Sequence, residues 1–117
     1  VAYQMLQKQK NSQEIKLFPK NPKRDFVYVK DVVNANLHAL EYFWKLKGNW
    51  YEVGSGEART FEDVMNILEI PFTYTSEDEI PNGYQFYTCS DHTRYMDDWY
   101  PKWNLEKGLT DYLFHLR

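Results

Sequence analysis

Apolar side chains recur at helical spacing between Asp31 and Leu46, where Val33, Leu37, Leu40 and Trp44 fall at steps of four, three and four. Val32, Ala35, Ala39 and Phe43 widen that stripe, which predicts a helix buried over much of its circumference. Asp31 stands at its start, where a carboxylate caps free N–H groups and complements the helix dipole, and Gly48 ends it. Upstream, Ala2 to Lys10 reads as a short helix with Met5 and Leu6 apolar, stopped by Asn11-Ser12. Ile15 to Phe18 alternates as a brief strand, Pro19 to Pro22 is a turn, and Phe26 to Val29 is a β-branched and aromatic run that predicts a second strand.

Trp50 to Val53 predicts a strand that enters Gly54-Ser55-Gly56. Thr60 and Asp63 then have capping-box spacing, ahead of Phe61, Val64, Met65 and Leu68 on one helical face. Pro71 stops that helix, and Phe72 to Thr75 reads as a strand. Glu77 to Gly83 is an acidic loop, Tyr84 to Thr88 is extended, and Asp91 to Met96 suggests a helical turn or two. A last helix starts near Asn104 and runs through Leu105, Leu109, Tyr112, Leu113 and Leu116. Alternating short elements of this kind predict a mixed α/β fold whose strands are too brief for a complete doubly wound sheet.

Composition narrows the class. The 117 residues suit one compact domain or a piece of one, and a chain that begins at Val1 already in helix is expected of a piece. Aromatics make up 18% of the chain, with ten Tyr, seven Phe and four Trp, enough for a core and for flat faces toward a sugar or base. The net charge of -3, with basic residues concentrated only near Lys16 to Arg24, argues against nucleic-acid binding as the main role. The single Cys89 allows no internal disulfide, and no apolar run approaches membrane-spanning length.

The chemistry has one focus and several negatives. Gly54-Ser55-Gly56 lacks the third glycine of a dinucleotide fingerprint, Arg59 standing in its place, so the turn reads as a tight strand-to-helix connection. None of the ten tyrosines has Lys four residues later, so a tyrosine base with its pKa lowered by a neighbouring lysine is absent and no catalytic residue is expected here. His38, His92 and His115 share no spacing, and Glu77-Asp78-Glu79 lacks the pattern of a calcium loop, so no metal is expected. The focus is Arg24, a guanidinium on a loop before a strand and a capped helix. Its planar fork suits paired diphosphate oxygens, and a surface ion pair with a nearby carboxylate explains the spacing equally well.

The run Arg24 to Val33 (Arg-Asp-Phe-Val-Tyr-Val-Lys-Asp-Val-Val) resembles the signature after the substrate loop of extended short-chain dehydrogenase/reductases, the NAD(P)-dependent sugar-nucleotide epimerases and dehydratases. Tyr51 to Gly56 is similar to that family's next strand and turn, and Phe61 to Leu68 to its following helix. Lys16-Leu17-Phe18, Gly83-Tyr84-Gln85 with Thr88 and Asp91, and Gly108 to Tyr112 resemble the branch that epimerises ADP-linked heptoses at C6.

The resemblance implies a C-terminal substrate-binding domain over residues 1–117, lacking most of the Rossmann domain and inactive alone. It implies Phe18, Arg24 and Tyr84 as substrate-binding residues, Arg24 on the diphosphate, with Gln4 where the branch carries a substrate-contacting histidine. The loop from Phe18 to Arg24 is shorter than in that branch and carries Pro19 and Pro22. For the full-length enzyme it implies NADP or NAD, a nucleotide-diphosphate sugar substrate, homo-oligomers and a cytoplasmic place in lipopolysaccharide synthesis, with no cofactor on this fragment. Two alternatives stay open: a UDP-, GDP- or dTDP-sugar epimerase or dehydratase, and a non-catalytic binding or assembly module.

Overall fold

A computed structural model describes residues 1–116, which divide into two compact units: residues 1–24 with 59–88, and residues 25–58 with 89 onward.

The first unit opens with α1 (Ala2–Lys10), none of whose residues is buried. Strand β1 (Lys16–Leu17) pairs in parallel with β4 (Thr73–Tyr74), Lys16 opposite Thr73 and Leu17 opposite Tyr74. Flanking bonds from Thr73 N to Ile15 O (3.0 Å) and Thr75 N to Leu17 O (2.9 Å) complete the pair. Helix α4 (Phe61–Leu68) carries the capping box that its sequence predicts. Thr60 Oγ1 accepts from Asp63 N at 2.9 Å, and Asp63 Oδ2 accepts from Thr60 N at 3.1 Å. Aspartate, one methylene shorter than glutamate, still closes the box, because both groups sit in the same turn. Ile15, Leu17, Pro22, Val64, Met65, Leu68 and Ile70 are buried apolar side chains of this unit.

The second sheet pairs β2 (Lys23–Asp25) with β3 (Ala58–Thr60). The expected strand at Phe26 to Val29 therefore lies three residues too late, and β3 is a strand that the hydrophobic pattern does not announce. Both errors have one cause. These strands are short and polar, held by backbone pairing rather than by an apolar face, so periodicity has nothing to report.

In the second unit the long predicted helix is two pieces, α2 (Val29–Glu41) and α3 (Phe43–Leu46), broken at Tyr42. Asp31 does not cap it. Tyr28 occupies the N-cap, while Asp31 lies inside the first turn, fully buried, and accepts from Lys102 N (2.9 Å) and Trp103 N (3.1 Å). Ala35 and Leu46 are buried with Met96 and Trp99, and Ala39, Tyr51 and Tyr95 pack against them. The stripe expected to be buried is exposed: Val33 at 50%, Leu37 at 59%, Leu40 at 74% and Trp44 at 78% of their full surface. Two residues along a helix is about 200°, so Asp31, Ala35 and Ala39 define one side and Val33, Leu37 and Leu40 the other. The small side faces the core of this unit.

Trp50 to Val53 forms no strand, Phe72 to Thr75 contracts to β4, and Tyr84 to Thr88 contributes a parallel bridge, Lys23 with Tyr87. Asp91 to Met96 is a 3₁₀ turn at His92–Arg94, and the acidic loop contains another at Glu77–Glu79. The last helix, α5 (Leu105–His115), begins as predicted, with Asn104 Oδ1 accepting from Lys107 N at 2.8 Å. It is tied to Tyr28, whose hydroxyl donates to Asp111 at 2.6 Å.

Candidate functional site

The polypeptide brings Arg24 to an aromatic surround through backbone pairing. Lys23 N donates to Phe86 O at 2.8 Å and Thr88 N donates to Lys23 O at 3.1 Å, which sets Tyr84 and Phe86 alongside β2. Before it, the loop Pro19 to Pro22 makes its reversal with two successive residues in the left-handed region, Lys20 (φ 72°) and Asn21 (φ 51°). Pro22 is buried. Asparagine tolerates that conformation and lysine less so, so the flanking prolines and the buried Pro22 must hold it.

The guanidinium carbon of Arg24 lies 5.2 Å from the centre of the Tyr84 ring and 5.8 Å from that of Phe61. Phe18 meets Tyr84 edge-on with ring centres 5.1 Å apart, and Phe86 and Tyr84 also meet in a T-shaped arrangement at 5.3 Å. Arg24 Nη1 donates to Lys23 O at 2.8 Å, and among the described residues no carboxylate lies at ion-pair distance from it. The surface ion pair that spacing alone allowed is therefore not formed among the described residues. A half-buried cation, held by rings and a carbonyl with no carboxylate beside it among the described residues, has donors left for an anion.

Three of the four residues expected to bind substrate thus share one locale: Phe18, Arg24 and Tyr84. Gln4 is exposed on α1, and among the described residues no hydrogen bond or ring contact joins it to the other three. Phe61 and Phe86 belong to the same surround and escaped the sequence reading. Phe61, directly after the Thr60 cap and thus fixed at the first turn of α4, was the available signal.

The second unit has its own polar hub, Asp25. Its Oδ1 accepts from Ser55 N (2.7 Å) and Ser55 Oγ (2.6 Å). Its Oδ2 accepts from Gly56 N (2.9 Å), Ser90 N (3.1 Å) and Ser90 Oγ (2.5 Å). Ser90 Oγ in turn lies 2.5 Å from the Tyr95 hydroxyl. Burial pushes the Asp25 carboxyl up, but the side-chain and backbone donors of Ser55 and Ser90 outweigh it and leave it below its ordinary 3.8.

This hub answers the question of the Gly54-Ser55-Gly56 turn. A dinucleotide pyrophosphate would need the turn's free N–H groups, and those of Ser55 and Gly56 are already spent on Asp25. A side chain on Gly54 would meet Ser90 Oγ at 2.3 Å and Asp25 Oδ2 at 2.6 Å. The turn is a structural clasp, and these residues do not fit a nicotinamide dinucleotide.

Comparison with known proteins adds a consistent picture. The sequence pattern of the NAD dependent epimerase/dehydratase family matches residues 1–54. The structure is similar to ADP-L-glycero-D-manno-heptose-6-epimerase from Helicobacter pylori, with TM-score 0.74 and 28% identity over 98% of this chain and 36% of that one. It also shares its fold with RMD from Pseudomonas aeruginosa in complex with NADPH, with TM-score 0.68 and 22% identity over 92% of this chain and 38% of that one. The chain spans little more than a third of the length of either. Among the described residues, no group of His, Cys, Asp or Glu is placed to hold a metal ion, and no helix is long and apolar enough to cross a membrane.

Proposed function

We propose that this chain belongs to the NAD-dependent epimerase/dehydratase family, whose pattern matches residues 1–54, and that it is the substrate-binding part of a nucleotide-sugar epimerase similar to the ADP-heptose 6-epimerases. The observation that carries the reading is the Arg24 guanidinium, set against the Phe61 and Tyr84 rings with, among the described residues, no carboxylate at ion-pair distance. Its role is to grip the pyrophosphate that links nucleoside and sugar. Tyr84 lies against it, braced edge-on by Phe18, and together they hold the neighbouring groups and shield the ionic contact from water, where it would be weak.

The full-length enzyme uses a nicotinamide cofactor, NADP or NAD, which supplies hydride removal and return at the sugar. The cofactor and the Tyr-x-x-x-Lys base pair belong to a region outside these residues, since neither the fingerprint nor the pair is present here. This chain binds and orients, and alone it is inactive. Gln4, if it contacts the sugar in the complete enzyme, offers a neutral hydrogen-bonding amide in place of an ionisable imidazole. Cytoplasmic action in lipopolysaccharide synthesis and homo-oligomer assembly follow from the same reading.

A turnover panel on the complete enzyme tests the substrate assignment. ADP-L-glycero-D-manno-heptose and its C6 epimer should interconvert, with UDP-, GDP- and dTDP-sugars inert. Preferred turnover of another nucleotide's sugar would move the assignment to that class.

A further inference from the structure

Phe18 and Phe61, two rings of the Arg24 surround, are also walls of a narrow crevice in the first unit, which Leu17, Pro22, Glu62 and Tyr74 help to line. Its volume of about 10 Å³ admits one water-sized group and nothing larger. Glu62 is half-buried, and its Oε2 accepts from the Tyr74 hydroxyl at 2.6 Å. That bond raises the Tyr74 phenol above its ordinary 10.0, so Tyr74 stays a donor at neutral pH and holds the carboxylate in place. Among the described residues, Glu62 Oε1 accepts no hydrogen bond, and no cation lies at ion-pair distance from the carboxylate.

We propose that Glu62, oriented by Tyr74, accepts from the ribose hydroxyls of the nucleotide whose pyrophosphate Arg24 holds. The proposal rests on the functional reading above and gives that site a preference for ribonucleotides.

Three constraints select this occupant. An ionised carboxylate has acceptors only, so it repels phosphate oxygens and takes a donor. The room is that of a hydroxyl, so a base does not enter. The reacting sugar also carries hydroxyls, but it must reach a cofactor held outside these residues, whereas the nucleoside takes no part in the reaction and stays on this unit. The spacing agrees. Ribose is joined to the pyrophosphate through a single methylene, so the group that holds its hydroxyls must lie close to the one that holds the phosphates. Glu62 directly follows Phe61, whose ring centre is 5.8 Å from the guanidinium carbon of Arg24. A carboxylate on a ribose hydroxyl is the same contact by which dinucleotide-binding folds read that sugar.

Calorimetric titration of the complete enzyme tests this, with ADP, UDP and GDP against their 2′,3′-dideoxy forms. The native enzyme should bind the ribo form of the nucleotide it accepts about 10-fold more tightly, the lower end for a hydrogen bond to a charged group. Glu62→Ala should bind both forms equally, and Tyr74→Phe, which frees the carboxylate to turn, should narrow the preference to about 3-fold. A merely structural loss in Glu62→Ala weakens both forms alike and leaves their ratio unchanged. That result would overturn the proposal, as would a native enzyme indifferent to the hydroxyls. Arg24→Ala separates the two claims. Binding that Arg24→Ala weakens but that ignores the hydroxyls removes the Glu62 contact alone, whereas a ribo preference with affinity untouched by Arg24→Ala removes the functional reading.

Discussion

Asp25 Oδ2 lies 2.6 Å from where a β-carbon on Gly54 would stand, and Ser90 Oγ lies 2.3 Å from the same point. No real β-carbon tolerates either distance, so glycine at position 54 is required by close approach. Gly54→Ala must push the clasp apart, and thermal denaturation should register a loss of about 1–3 kcal/mol, the usual cost of overpacking. An unchanged melting temperature would mean that Ser90 rotates away freely.

The clasp itself predicts a pH dependence. The Asp25 carboxyl sits below its ordinary 3.8 in the folded chain, so its stabilisation is complete above the unfolded value and fades as pH falls through the folded one. Asp25→Ala, which strands the N–H groups of Ser55, Gly56 and Ser90, should cost on the order of 3 kcal/mol at neutral pH. Melting curves from pH 7 downward should fall more steeply for the native chain than for Asp25→Asn. Parallel curves would contradict this role.

Asp31 makes a comparable prediction without a pH argument. It is fully buried, and its carboxylate terminates two backbone N–H groups ahead of α5. Asp31→Asn keeps one acceptor and should lose about 1–2 kcal/mol, while Asp31→Ala should lose roughly 2–4 kcal/mol. Chemical denaturation of both variants would reveal the order, and equal losses would mean that one of the two bonds carries no energy.

The sequence showed its helices better than its strands, for a physical reason. α4 and α5 announce themselves through caps and apolar spacing that belong to a single segment, and α1 through Met5 and Leu6 in a run that Asn11-Ser12 stops. β2 and β3 are defined by pairing between residues far apart in the chain, which no local pattern contains. The line of Val33, Leu37 and Leu40 was legible as apolar but not as exposed, because periodicity says that a face seeks cover and not whether its own unit supplies it. Arg24 and Tyr84 were legible through the resemblance of their motifs. Phe61 and Phe86 were not, since their nearness to Arg24 depends on how β2 is flanked.

The ring of Tyr84 should matter more than its hydroxyl. Its ring centre lies 5.2 Å from the Arg24 guanidinium carbon, and Phe18 and Phe86 each pack against it in a T-shaped arrangement. In the complete enzyme, Tyr84→Phe should bind the nucleotide sugar within a factor of about 3, and Tyr84→Ala should weaken it by roughly 5- to 30-fold, matching about 1–2 kcal/mol for a cation–π contact. The reverse order would assign the contribution to the hydroxyl.

The most direct measurement is calorimetric titration of the complete enzyme with ADP-L-glycero-D-manno-heptose, native against Arg24→Ala and Arg24→Lys. Removing a charged hydrogen-bonding group from the pyrophosphate should cost about 1.5–3 kcal/mol, a 10- to 150-fold rise in Kd, with lysine restoring part of it. An Arg24→Ala protein that folds and binds the nucleotide sugar as tightly as the native enzyme would contradict the account.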